Sequence, residues 1–166
     1  MKPCTSSQKH IITIIRTNSR NQEFKKLVNL LNSDLANRDG ENHPLSQFNV
    51  IDDIKHVVLA YENNEAIACG AIEEFDLNTM EVKRVYASPE VRGKKIGTHI
   101  LLELENWVKE LGYSRCILFI GMNQPEAKRL YERNAYMQIQ KYGKLAKIAD
   151  CLCFAKCLGS GAKVGS

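Results

Sequence analysis

At 166 residues, 44% hydrophobic and 25% charged, the chain has the size and composition of one globular domain rather than of a fibre or a disordered segment. No apolar run reaches the length of a membrane span, and polar Met1–Gln8 followed by the short run Ile11–Ile15 does not make a signal peptide, so a cytoplasmic protein with no membrane contact is expected. A net charge of +4 spread along the sequence argues against nucleic acid as a partner.

In chain order, His10–Arg16 reads as a first strand, and Phe24, Leu27, Val28, Leu31 and Leu35 give Glu23–Leu35 the spacing of a helix. Asn37-Arg38-Asp39-Gly40 carries turn chemistry that should end it, and Glu41–Asn49 reads as a polar connection around Pro44. Ile54–Tyr61, Ala66–Phe75 and Met80–Tyr86 follow as three strands joined by short polar turns, the pattern of an antiparallel meander. Ile96, Ile100, Leu104, Trp107, Val108 and Leu111 then repeat at helical spacing, with Glu103, Glu105, Lys109 and Glu110 on the other face. Gly112-Tyr113 breaks that helix, and Arg115–Ile120 is an apolar strand, parallel to the one before the helix if the crossover has its usual hand. Gln124–Arg133 is a further helix, with Asn123 as its expected N-cap and Pro125 at its first position. Tyr136–Tyr142 and Asp150–Lys156 are late strands. Residues 1–158 form the expected domain, with 159–166 a small polar tail expected to be disordered.

The six cysteines, Cys4, Cys69, Cys116, Cys151, Cys153 and Cys157, contain no C-x-x-C pair and mostly sit in apolar surroundings, so buried free thiols are expected. Cys151 and Cys153 would share one face of a strand near Cys157, which leaves a metal or redox site as the weaker alternative.

Between the third meander strand and the long helix lies the segment richest in chemistry, Val85-Tyr86-Ala87-Ser88-Pro89-Glu90-Val91-Arg92-Gly93-Lys94-Lys95-Ile96-Gly97-Thr98. A β-branched strand runs here into a basic glycine loop that opens a helix. Free N–H groups and the positive end of the helix dipole favour an anion at that point, and Arg92, Lys94 and Lys95 add full charges. The spacing is neither the dinucleotide nor the P-loop pattern, and a plain connector with surface lysines would look the same.

A second segment, Asn123-Gln-Pro-Glu-Ala127-Lys-Arg-Leu130-Tyr131-Glu-Arg-Asn-Ala-Tyr136, follows at about thirty residues. Together with Arg92-x-x-Lys95-x-Gly97 it resembles the GNAT superfamily of N-acetyltransferases, which move acetyl groups from acetyl-CoA to amines, and the resemblance covers nearly the whole domain. It implies an α/β (α+β) GNAT fold with a mixed central sheet of six to seven strands, splayed between the fourth and fifth strands and flanked by helices. It also implies that the backbone of Val85 and Tyr86 pairs with the pantetheine arm of acetyl-CoA, that Arg92, Gly93, Lys94, Lys95, Ile96, Gly97 and Thr98 cradle the pyrophosphate, and that Asn123 and Lys128 contact other parts of the coenzyme. Two positions depart from the family. Lys95 and Ala135 stand where glycine is usual, which puts a side chain close to the phosphates in the first case and assigns the left-handed residue to Asn134 in the second.

By the same resemblance, Glu81, eleven residues before Arg92, matches the general base of histone-type members, with Glu73 and Glu74 on the neighbouring strand as alternates. Tyr131 matches the general acid that returns a proton to the departing sulfur. A base matters most for an alkyl amine of pKa ~10.4 and little for an α-amine near ~8. Glu73, Lys83 and Arg84 are expected at the acceptor, with a cation to clamp a substrate carboxylate, although strand alternation lets both cations face the pocket only if a bulge redirects one. Phe119-Ile120-Gly121 promises an apolar pocket wall. The leading reading is direct acetyl transfer to the primary amine of a small molecule, such as an amino acid or other carboxylate-bearing amine. A protein or peptide acetyltransferase and a catalytically weak acetyl-CoA-binding module remain as alternatives. No metal is expected, and a homodimer is left open.

Overall fold

A computed structural model describes residues 11–40, 42–48 and 50–159. Its elements are β1 (Ile12–Thr17), α1 (Gln22–Asp39), β2 (His56–Glu62), β3 (Glu65–Asp76), β4 (Thr79–Ala87), α2 (Ile96–Glu110), β5 (Arg115–Gly121), α3 (Pro125–Arg133), β6 (Met137–Ile139) and β7 (Cys151–Cys157), with single 3-10 turns at Pro44–Phe48, Pro89–Val91 and Gly143–Lys147. The strands form one sheet in the order β1-β2-β3-β4-β5-β7-β6. Every neighbouring pair is antiparallel except β4 and β5, which run parallel around the α2 crossover. Cys4, His10 and the segment 160–166 lie outside the described residues.

Helices cover both faces of the sheet. Ile100, Leu101, Leu104 and Val108 of α2 pack on Val58, Ile72, Met80, Val82 and Leu118, while Phe24, Leu27, Val28 and Leu31 of α1 pack on Val57, Leu59, Cys69 and Ala71. Alternation along β2 and β3 feeds both clusters, as expected of strands buried on both sides. A third cluster, built from Leu45, Leu145, Ile148, Cys151 and Cys153, closes the α1 face beside β5 and β7. Among the described residues no helix is long and apolar enough to cross a membrane, and no group of three or more His, Cys, Asp or Glu is placed to hold a metal ion.

Four local expectations are corrected. Helix α1 starts one residue early, with Asn21 Oδ1 accepting from Glu23 N–H (2.9 Å) and Phe24 N–H (3.2 Å), and it runs through the supposed turn to Asp39. Arg38 makes that extension possible, pairing with Asp34 one turn back (3.5 Å) and with Glu126 of α3 (2.6 Å). The strand expected over Tyr136–Tyr142 shrinks to Met137–Ile139, because Tyr142 turns inward against Phe75 with ring centroids 5.2 Å apart. Glu105 is buried rather than solvated, accepting from Tyr136 Oη (3.0 Å) and pairing with Lys156 Nζ (2.8 Å). Asn123 does not cap α3. Gln124 occupies the cap position without a side-chain bond, and the Asn123 amide donates instead to Asp39 Oδ1 at 3.2 Å.

Candidate active site

The site grows out of two irregularities in β4. Its parallel pairing with β5 lasts for three residues, Thr79, Met80 and Glu81, after which the strands part and the β5-facing edge of β4 has no strand partner among the described residues. On its other edge the register with β3 jumps: Lys83 pairs with Ala71 and Tyr86 with Cys69, so Arg84 and Val85 together face Gly70. Arg84 takes φ +57° to make this bulge. The extra residue resolves the alternation conflict noted above. Glu81, Lys83, Arg84 and Tyr86 reach the α1 face, while Met80, Val82 and Val85 pack toward α2. Gly70 is required opposite the bulge, since a Cβ there would lie 2.7 Å from Ile100 Cγ2 and 2.8 Å from Leu104 Cδ1.

Beyond the bulge a cleft of about 640 Å³ opens between β4, the glycine loop, α3 and the end of α1. Val85, Tyr86, Arg92, Gly93, Lys95, Ile96, Gly97 and Thr98 line it. Lys94, Asn123 and Lys128 are not among its lining residues. Lys128 turns outward to pair with Glu132 at 3.8 Å, and the face of α3 turned to the cleft presents Arg129 and Arg133 instead. Lys95 adopts the left-handed conformation a glycine would favour (φ +63°, ψ +20°) as the residue before α2. The Arg92 guanidinium braces the loop, donating from Nε to the Ala87 carbonyl (3.0 Å) and lying over the Tyr86 ring at 5.8 Å. Gly97 serves close packing, because a Cβ there would come within 3.1 Å of Leu130 Cδ2.

Tyr131 stands at the inner wall of this cleft, buried, with its ring 5.6 Å from Tyr136 and 6.5 Å from Phe154. Burial pushes its phenol well above the ordinary tyrosine value, so it is protonated at neutral pH. A Schellman ending of α3 fixes the residue: Tyr136 N–H donates to Tyr131 O (3.0 Å), Ala135 N–H donates to Glu132 O (3.2 Å), and the two tyrosine rings make the accompanying apolar contact. Ala135 itself, not Asn134, holds the left-handed conformation at φ +68°. Asn134 contributes its side chain, donating to Leu130 O (2.7 Å) and to Thr98 Oγ1 (3.3 Å), and so ties α3 to the start of α2.

A second cavity of about 440 Å³ adjoins the cleft, with Leu35 and Gln124 lining both. Its walls are the inner face of α1, the turn Pro44–Phe48, the β4 bulge and the end of β5. Lys83 and Arg84 both line it. Lys83 Nζ pairs with Glu73 (3.2 Å) and Glu81 (3.7 Å). The Arg84 guanidinium bonds the Asn32 amide oxygen, and burial pushes its pKa down to about 10, still cationic at neutral pH.

Glu81 sits at the apex where β4 and β5 part, but it does not line either cavity, and its Oε2 accepts a 2.6 Å bond from Tyr142. Glu74 pairs in register with Met80 and so belongs to the α2 face, away from the pocket. His43 lines the pocket, but its Nδ1 accepts from Leu45 N–H (3.1 Å), which places the proton of the neutral ring on Nε2, toward Asp150 at 3.8 Å. Asn32, Asp39, Arg129, Arg133 and Tyr142 had no motif to single them out. The helical spacing of Arg129 with Arg133 was present in the sequence as a signal, whereas Asp39 fell in the turn expected to end the first helix.

The sequence profile of the acetyltransferase (GNAT) family matches residues 24–136. An uncharacterized N-acetyltransferase of Schizosaccharomyces pombe is 32% identical over 82 residues, a match spanning 49% of this chain and half the length of that protein. The IAA acetyltransferase of Azospirillum brasilense is 26% identical over 140 residues, covering 80% of this chain and 88% of that one. Among solved structures, a GNAT family acetyltransferase from Elizabethkingia anophelis with acetyl-CoA bound superposes with a TM-score of 0.65 at 18% identity, over 89% of this chain and 98% of that chain.

Proposed function

The chain belongs to the acetyltransferase (GNAT) family, enzymes with acetyl-CoA as co-substrate, and from that premise we propose that it moves the acetyl group directly to the primary amine of a small molecule carrying a carboxylate. The observation that carries this is the pair of adjoining cavities. A basic cleft at a helix N-terminus opens beside a half-enclosed pocket of about 440 Å³ in which Lys83 and Arg84 supply positive charge. A pocket of that size takes a small ligand whole.

The residues of the cleft fit a coenzyme A ester. The N–H groups at the start of α2, with Arg92 and Lys95, suit a pyrophosphate, Arg129 and Arg133 add charge for a further phosphate, and the open edge of β4 at Val85 and Tyr86 offers backbone groups to an extended arm. Acetyl-CoA supplies the activated thioester. A backbone N–H at the bulge polarises its carbonyl, as an oxyanion donor does. The ammonium of the acceptor first gives up one proton. Its lone pair then forms the N–C bond as the C–S bond breaks, the sulfur takes the phenolic proton of Tyr131, and the second proton shed by the nitrogen restores the phenol. Glu81 is the base in this scheme only if water links it to the pocket, since Tyr142 and Lys83 stand at its oxygens.

Thermal shift with acetyl-CoA and free-thiol release over a series of amines test the proposal. Tyr131→Phe should lower kcat by ~10-fold or more while the acetyl-CoA-induced shift stays as in wild type, and Glu81→Gln should lower it only if the water path operates. A wild-type kcat in Tyr131→Phe would remove the acid from the scheme. Absence of any stabilisation by acetyl-CoA would overturn the function itself.

A further inference from the structure

The acceptor pocket carries charges of opposite sign at its two ends. On α1, Asn32, Leu35, Ala36 and Asp39 fall at i, i+3, i+4 and i+7 and all line the cavity. Two helical turns, roughly 10 Å of rise, separate Asn32 from Asp39. At the Asn32 end stands the Arg84 guanidinium, bonded to the Asn32 side chain. At the other end, Asp39 Oδ1 accepts from Asn123 Nδ2 at 3.2 Å, and Asp39 Oδ2 lies 3.2 Å from the point where a Cβ on Gly121 would stand. The missing side chain at Gly121 leaves that carboxylate open to the end of β5. The pocket meets the cleft along Leu35, midway between Asn32 and Asp39, and at Gln124, which lies 3.0 Å from the same Gly121 position. Phe48 and Phe119 also line the pocket, edge to face at 5.6 Å.

Resting on the acetyl-transfer reading above, we propose that this pocket takes a zwitterion, an amino acid with an apolar side chain, holding its ammonium at Asp39, its carboxylate at Arg84 and its side chain on Phe48 and Phe119. Asp39 is then the group that takes the first proton from the ammonium and passes it to solvent, which frees the lone pair that forms the N–C bond. The nitrogen held there lies beside Gln124, which also lines the cleft, while Glu81 stays engaged with Tyr142 and Lys83.

The test is free-thiol release by the wild-type protein with acetyl-CoA and leucine, phenylalanine, the amides of both, and a lysine-containing peptide. Removing the carboxylate charge should lower kcat/KM by about 10- to 100-fold, the scale of a lost charge-assisted bond. Asp39→Asn should raise KM for leucine and shift the rising limb of the pH–rate profile upward, without changing the acetyl-CoA thermal shift. If the amides turn over as fast as the acids, or Asp39→Asn leaves both KM and pH profile unchanged, the zwitterion assignment is overturned while acetyl transfer stands. If no acid turns over, the assignment also falls; turnover of the amides or peptide would then keep acetyl transfer alive, and acetyl-CoA that neither stabilises the protein nor releases thiol would remove both. Comparing acids with amides on the wild type keeps the test independent of Arg84 variants, whose place in the bulge couples them to folding.

Discussion

Replacing Ala135 by glycine should stabilise the protein, although the substitution removes an atom and adds no contact. Ala135 holds φ +68° at the left-handed position of the Schellman ending of α3, and its side chain is exposed, so its methyl contributes no packing that would be missed. An L-residue in that conformation costs roughly 1–2 kcal/mol, whereas the greater freedom of glycine in the unfolded chain costs roughly 0.5–1 kcal/mol. The difference is a gain of about 0.5–1 kcal/mol, which for a domain of this length raises the melting temperature by roughly 1–4 °C. Helix α2 supplies the control. It ends in the same motif, with Tyr113 N–H donating to Val108 O and Gly112 N–H to Lys109 O, both at 3.0 Å, and there the left-handed residue is Gly112 at φ +93°. Gly112→Ala should therefore lower the melting temperature by a similar amount, since a Cβ there meets nothing within 4 Å and only the backbone is at issue. Differential scanning calorimetry of both variants is the assay. A melting temperature that falls in Ala135→Gly, or is unmoved in both, would refute the conformational reasoning. Because Tyr131 is the residue whose carbonyl closes this motif, the Ala135→Gly protein should keep its turnover.

Two further outcomes follow from the packing. Gly70→Ala should cost about 1–3 kcal/mol, because its methyl would press on Ile100 and Leu104, both fully buried, and a melting temperature within about 1 °C of wild type would show that α2 is not seated so closely on the bulge. The second concerns alkaline pH. Burial pushes the Cys69 and Cys116 thiols up to about 12, above the ~8.5 of an unfolded chain, so full stability is present below about pH 8.5. As pH rises from there to 10 the unfolded chain releases protons that the folded chain keeps, and stability falls by roughly 1–2 kcal/mol per thiol. Arg84, lowered by its burial to about 10, acts in the opposite sense only above that pH. Guanidinium chloride midpoints at pH 8 and pH 10 under reducing conditions measure the effect, and equal midpoints would show that the thiols are not held apart from water.

Much of the fold was legible because it is encoded locally. The 3.6-residue period of Ile96, Ile100, Leu104 and Val108, the stop at Gly112 and the apolar run Arg115–Ile120 each depend on neighbours in sequence, and from them came the parallel pair around a crossover helix with the glycine loop at its start. The Tyr131 segment was legible for the same reason. What went astray was also local propensity, overruled from a distance: the Asn37–Gly40 turn chemistry yields to a helix held by Arg38 on Glu126, and the strand run to Tyr142 is cut short where that ring is drawn to Phe75 and Glu81.

The sequence by itself determined the order of elements, the anion-ready loop and the presence of Tyr131 beside it, since each rests on backbone periodicity and capping within a few residues. Only the tertiary structure decided which side chains share a cavity. Arg84 reaches the pocket because β3 and β4 slip register by one residue, a choice made by α2 against Gly70. Asp39 meets Asn123 across 84 residues and Glu81 meets Tyr142 across 61, so one carboxylate lines the smaller cavity and the other is taken up by a phenol. Such pairings are set by how layers stack, and residue spacing along the chain carries no record of them.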